Sequence, residues 1–175
     1  LAPGLTGANR TGRPFTGDHA GELLYGTLIK TGFARGTYGA AVDDGLTLVD
    51  CMISNAVRCV PPQNKPTPAE IRTCNGFLAS RIASLANVIA IVALGRIAHD
   101  ATIAALPAAR MISVKKKDVP FAHGAVHRIV GAPTIFDSYH CSRYNTNTGV
   151  LTPDMFRAVF ASVRAEIDAT PAPKN

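Results

Sequence analysis

ANVIAIVALG, residues 86–95, carries a single polar side chain before its closing glycine and is rich in β-branched residues. This is the pattern of a central parallel strand covered on both faces. Working outward, a helix is predicted over about 68–85, with proline in its first turn, and another over about 96–106. LTLVDCMISNAV reads as a buried strand ending at Arg58, PTIFDSYH as a strand ending on His140, and FAHGAVHRIV between them as a short strand. A first helix opens at Asp18 or His19 and runs to about Phe33; a last one opens at Thr152 and Pro153 and runs to about Ile167. Strand and helix alternate three times, so the fold class is α/β, with a parallel sheet between helix layers.

The chain has 175 residues, 47% of them hydrophobic, which suits one domain over residues 1–175 with a sizeable core. Lys and Arg outnumber Asp and Glu by 18 to 12, and most of the excess lies beyond residue 80. Such a surplus fits an anionic partner such as nucleic acid, although many soluble proteins share it. No apolar run reaches the roughly 18 residues of a membrane span, and no charged segment followed by an apolar one opens the chain. The sequence therefore reads as soluble and unsecreted. It starts directly on a glycine- and proline-containing loop, so the expectation is an N-terminally incomplete domain whose first strand is missing or truncated.

That loop, residues 1–21, reads LAPGLTGANRTGRPFTGDHAG. Glycine lets the backbone approach a ligand, proline stiffens the path, arginine attracts phosphate, and a carboxylate steadies developing positive charge. The loop also feeds a helix N-terminus, whose unpaired N–H groups favour an anion or a carbonyl oxygen. In an open parallel sheet, ligands bind outside the carboxyl ends of the strands. The polar loops leaving those ends are residues 1–18, 55–65 and 139–149, so Asp18, Asn55, Asn64 and His140 are expected to converge. Phe15 offers a ring to stack on a flat ligand. One aromatic face, one amide, one carboxylate and one histidine suit a nucleobase. Neither a Walker A lysine motif nor GxGxxG is present, which disfavours nucleotide hydrolysis and dinucleotide redox chemistry.

Four cysteines, at 51, 59, 74 and 141, form no CxxC pair. Cys51 lies in an apolar run and reads as a core residue. Cys59 and Cys74 flank a proline-rich loop and the first turns of a helix, a spacing that could bring two thiolates to one metal. Two cysteines alone are more often structural, and two ligands do not complete a four-thiolate site.

GANRTGRPFTGD, NAVRCVPPQNKPTP, the ALGRIA segment and SYHCSRYNTNTGVLT occur in this order along most of the chain. Together they resemble the type B, or family 5, uracil-DNA glycosylases. The resemblance implies a three-layer αβα sandwich around a four-stranded parallel sheet. It also implies a bacterial or archaeal enzyme of base excision repair, acting in the cytoplasm on nucleoid DNA as a monomer. Such an enzyme flips uracil, and in this family other deaminated bases such as hypoxanthine, out of double-stranded DNA and cleaves the N-glycosidic bond. By resemblance, Asp18 holds water or screens the cationic sugar, Asn64 assists it, and His140 donates a hydrogen bond to the base oxygen as negative charge develops. Phe15 stacks on the base. Ala2 stands, beside Gly4, where other superfamily members carry a water-positioning acid or amide. Asn55 sits where family 4 enzymes read the uracil edge, a place family 5 members can fill with a small residue. Arg143, Tyr144 and Asn145 fall where the enzyme wedges into the duplex. Families 4 and 5 hold a structural 4Fe-4S cluster with four cysteines; Cys59 and Cys74 match one pair, and the other two ligands are absent from this chain.

Each residue has a plainer reading. Asp18 alone reads as a helix cap, Asn64 as a turn residue and Phe15 as core. His140 alone is a satisfied strand-end histidine, and His99, His123 and His127 are ordinary structural or surface histidines, with His123 a candidate DNA border. Lys115, Lys116 and Lys117 are a solvated cluster that adds salt-sensitive affinity for DNA. Three functions compete: a DNA glycosylase, a damaged-base binding protein without turnover, and a small-molecule nucleotide-binding enzyme, the last weakened by the missing phosphate-loop motifs.

Overall fold

The computed structural model describes residues 11–58 and 66–170, and structural statements below concern these. Ala2, Gly4, Cys59 and Asn64 lie outside them.

The helices begin where local chemistry says they should. Helix α1, His19–Lys30, is capped by Asp18, whose side chain accepts from the Gly21 N–H. Helix α2, Pro68–Ser84, opens with a capping box between Thr67 and Glu70 and proline in the first turn. Helix α3, Arg96–Arg110, starts at Gly95, which has φ +96°. It runs one turn past the predicted Leu106 even though Pro107 lies inside it. Helix α4, Arg143–Asn147, is a short piece capped by Ser142, within a segment expected to be loop. Helix α5, Pro153–Ala169, is capped by Thr152.

Strands β1, Ala34–Arg35, and β2, Thr47–Leu48, form a small antiparallel pair. The main sheet holds β3, Ala90–Leu94, β4, Val126–His127, and β5, Thr134–Ser138, in the order β3-β5-β4. β3 and β5 are parallel, with Ala90 opposite Thr134 and Leu94 opposite Ser138, whereas β4 runs antiparallel to β5.

This mixed sheet corrects the expectation of a four-stranded parallel one among the described residues. LTLVDCMISNAV contributes only Thr47–Leu48, because Asp50 turns into the left-handed region at φ +51° and breaks the extended path. β4 is antiparallel because the link from His127 to Thr134 is too short for a crossover helix. The run 86–95 does hold a parallel strand, but β5 is the middle strand and β3 pairs with it alone among the described residues.

Helices cover both faces of the sheet. On one side Phe136 joins Leu24, Tyr25 and Leu28 of α1 and Phe156, Val159, Phe160 and Val163 of α5 in one apolar cluster. On the other, Ile135 joins Ala79 and Ile82 of α2 and Ile103, Ala105 and Leu106 of α3. The alternation of Ile135 and Phe136 along β5 divides the interior into these two cores.

Candidate active site

The carboxyl ends of β3 and β5 meet the N-terminus of α1. The Gly95 N–H donates to the Ser138 carbonyl at 2.7 Å, carrying the parallel pairing one residue past β3 and setting the chain that leads to His140. A cleft of about 450 Å3 opens here, lined by Gly17, Asp18, His19, Ala20, His140, Ser142 and Arg143. Of the four residues expected to converge, Asp18 and His140 line this cleft, Asn55 does not, and Asn64 lies outside the described residues; Arg143, expected at the duplex, lines it as well.

Asp18 does two things at once. Its Oδ1 accepts from the Gly21 N–H at 3.0 Å, so the plain capping role is real, and the residue remains exposed at the cleft. The cap holds the carboxylate at the positive end of α1, where the helix dipole and a negative charge attract. His140 lines the same cleft. Burial pulls its pKa from 6.5 down to about 4, so the imidazole is neutral at physiological pH and keeps one N–H to donate. Among the described residues the ring accepts and donates no hydrogen bond. The Phe15 ring lies 6.0 Å from it, tilted by 34°.

The segment expected to wedge into the duplex is less uniform than its sequence suggests. Tyr144 is 73% exposed, and Arg143 is exposed at the cleft rim. Asn145 turns inward, and its Nδ2 donates to the His140 carbonyl at 2.8 Å. Asn55 is half-buried and is not among the residues that line the cleft. His19, which the sequence reading used only to open a helix, lines the cleft, its Nε2 lying 3.3 Å from the Thr146 Oγ1. Its position directly after a site carboxylate in GDH was the available signal.

Behind the site, His99, His127 and Asp137 form a buried relay. His99 Nδ1 lies 2.8 Å from Asp137 Oδ1 and its Nε2 lies 2.9 Å from the Val119 carbonyl, while His127 Nε2 lies 3.0 Å from Asp137 Oδ2. Each carboxylate oxygen serves one imidazole, so the groups satisfy one another. Asp137 is two residues before Tyr139, whose N–H donates to His123 Nδ1 at 3.1 Å. Thus His99, His123 and His127 are structural histidines here, holding the strand end that carries His140.

The cysteines divide likewise. Cys51 Sγ donates to the Phe33 carbonyl, and Cys141 is fully buried, with burial pushing its thiol pKa up to about 12. Cys74 is buried on α2. Among the described residues no three cysteines gather, and of the pair expected to ligate a cluster only Cys74 is described.

An α/β fold whose strand ends open on a cleft lined by a helix-capping carboxylate and a neutral histidine defines the class: an α/β protein with a polar cleft at the carboxyl ends of its parallel strands. Residues 1–164 match the Uracil DNA glycosylase superfamily. The chain is 43% identical over 164 residues to the type-5 uracil-DNA glycosylase of Thermus thermophilus, covering 94% of this chain and 72% of that protein. It is 38% identical to the type-5 enzyme of Mycobacterium tuberculosis, over 94% of this chain and 60% of that one. Against the type-5 enzyme of Pyrobaculum aerophilum the figures are 35%, 95% and 69%. The chain belongs to the type-5 uracil-DNA glycosylases, hydrolases of the N-glycosidic bond in base excision repair.

Proposed function

We propose that this chain releases uracil, and also hypoxanthine, from double-stranded DNA, with Asp18 and His140 as the catalytic pair. The observation that carries this reading is their placement on one cleft: an exposed carboxylate on a helix N-terminus and a neutral imidazole with no partner among the described residues. Cleavage breaks the bond between C1′ of the sugar and the base nitrogen, and the electron pair leaves with the base. Asp18 stabilises the cationic sugar and orients the water that adds to C1′, the water's proton passing to solvent or to Asp18. His140 donates its N–H to the base oxygen where the negative charge collects. Phe15 stacks on the flipped base, and Arg143 and Tyr144 enter the space it leaves.

Asn64 as helper to Asp18, Ala2 and Gly4 at the pocket floor, Asn55 at the base edge and Asn145 at the duplex remain parts of this proposal that rest on motif resemblance. The same holds for the three-layer αβα sandwich, the single domain over residues 1–175, and action as a monomer in the cytoplasm. Cys59 and Cys74 are proposed as two of the four thiolates of a structural 4Fe-4S cluster; loss of bound iron in Cys74→Ala tests this.

The deciding experiment is a base-release assay on duplexes carrying uracil or hypoxanthine. Free base and abasic product from both are expected. Tight lesion binding with no abasic product would favour a damaged-base binding protein and overturn the catalytic assignment.

A further inference from the structure

We propose that Tyr25 and Tyr38 are positioning residues that hold Phe15 in a strained, preformed pose for stacking on the flipped base. The proposal rests on reading Phe15 as the stacking ring and goes on to say what fixes that ring.

Phe15 has φ +56°, a left-handed conformation that a bulky side chain rarely adopts. Such strain persists only where the surroundings over-determine it. Here they do. The Tyr25 hydroxyl donates to the Pro14 carbonyl at 2.5 Å, and the Tyr38 hydroxyl donates to the Phe15 carbonyl at 3.0 Å. Two successive carbonyls of one strained turn are thus tied to two tyrosines whose rings stack 4.7 Å apart. Burial raises the pKa of both phenols, so both hydroxyls stay protonated and able to donate.

The tyrosines are themselves braced. The Arg13 guanidinium sits 5.2 Å from the Tyr25 ring centre and 5.6 Å from that of Tyr38. It is forked onto Asp44 at 2.8 and 2.6 Å, and its Nε donates to Thr16 Oγ1 at 2.7 Å. Asp44 also accepts from the Gly39 and Leu46 N–H groups, closing the loop that carries Tyr38. Gly21 completes the seat: a Cβ there would lie 1.9 Å from the Phe15 carbonyl oxygen and 2.3 Å from the Tyr38 hydroxyl. Residues 13–16 are therefore held from both sides, and the ring they present is the one facing His140. A ring held in place before the base arrives loses little freedom on stacking, which favours catalysis by preorganisation.

The test uses Tyr25→Phe and Tyr38→Phe, each of which keeps the ring, the stack and the arginine contact and removes only a donor. Single-turnover release of uracil at saturating protein is expected to fall about tenfold in each, while affinity for undamaged duplex and the melting temperature stay near those of the parent protein. Gly21→Ala, which pushes on the same carbonyl, is expected to slow release similarly. In a Phe15→Ala background, Tyr38→Phe is expected to add nothing, since the ring it positions is gone. Folded tyrosine variants that release uracil at the parent rate, or a Tyr38→Phe loss that persists undiminished without the Phe15 ring, overturn the proposal. If Phe15→Ala itself retains full rate, the stacking role of Phe15 falls as well, which separates that failure from this one.

Discussion

Asp18 caps α1 and is the carboxylate of the proposed catalytic pair, and two substitutions separate the two roles. Asn caps a helix about as well as Asp, whereas Ala does not. Asp18→Asn is expected to unfold near the parent temperature yet release uracil on the order of 100-fold more slowly, because it lacks the charge that steadies the sugar. Asp18→Ala is expected to lose activity similarly and about 1 kcal/mol of stability as well, read by urea unfolding. His140 carries a pH signature. Its pKa of about 4 lies below the 6.5 of a free imidazole, so between these values the unfolded chain binds the proton that the folded one refuses. Its contribution to stability is complete above pH 6.5 and is lost as pH falls towards 4. His140→Gln is therefore expected to flatten the slope of unfolding free energy against pH in that window. The base-release profile of the parent protein should show no inflection near 6.5 arising from this histidine. These residues were legible in the sequence because each closes a motif at an element end. The turn at Phe15 was not legible, since nothing local announces a left-handed phenylalanine; it is imposed by tyrosines 10 and 23 positions away in the chain.

Among the elements, β5 matters most, since it is central, parallel to β3, and leads to His140. Its end is fixed by Asp137 between His99 and His127, all three largely withdrawn from water. Asp137→Ala leaves two imidazoles without their acceptor in the interior, and the expected loss is roughly 3 kcal/mol, read by urea unfolding. The element types were readable because their signals are local: caps at Asp18, Thr67 and Thr152, a β-branched run at 86–95, prolines in first turns. The strand expected from LTLVDCMISNAV failed for an equally local reason, the left-handed turn at Asp50, which hydrophobicity alone conceals. The relay was missed because a histidine on α3 and another on β4 gain meaning only when β5 brings a carboxylate between them.

For the whole molecule the formal charge of +6 is the relevant quantity. Binding to duplex DNA is expected to weaken linearly in log affinity as log salt rises, and Arg143→Ala, at the cleft rim, to reduce the magnitude of that slope by about 1. The lysine cluster is worth less than its count suggests, because Lys116 is already paired with Asp100 at 2.8 Å. No helix among the described residues is long and apolar enough to cross a membrane. By itself the sequence determined the α/β class, the starts of α1, α2, α3 and α5, the parallel strand at 86–95 and the meeting of Asp18 with His140, because capping, hydrophobic pattern and motif order act over a few residues. Only the tertiary structure decided that β5 lies in the middle, that β4 runs antiparallel, that three structural histidines support the strand end, and that Phe15 is held strained by two tyrosines. These depend on which distant segments meet, and a contact between distant segments stabilises only after the intervening chain has been ordered, so no local pattern records it.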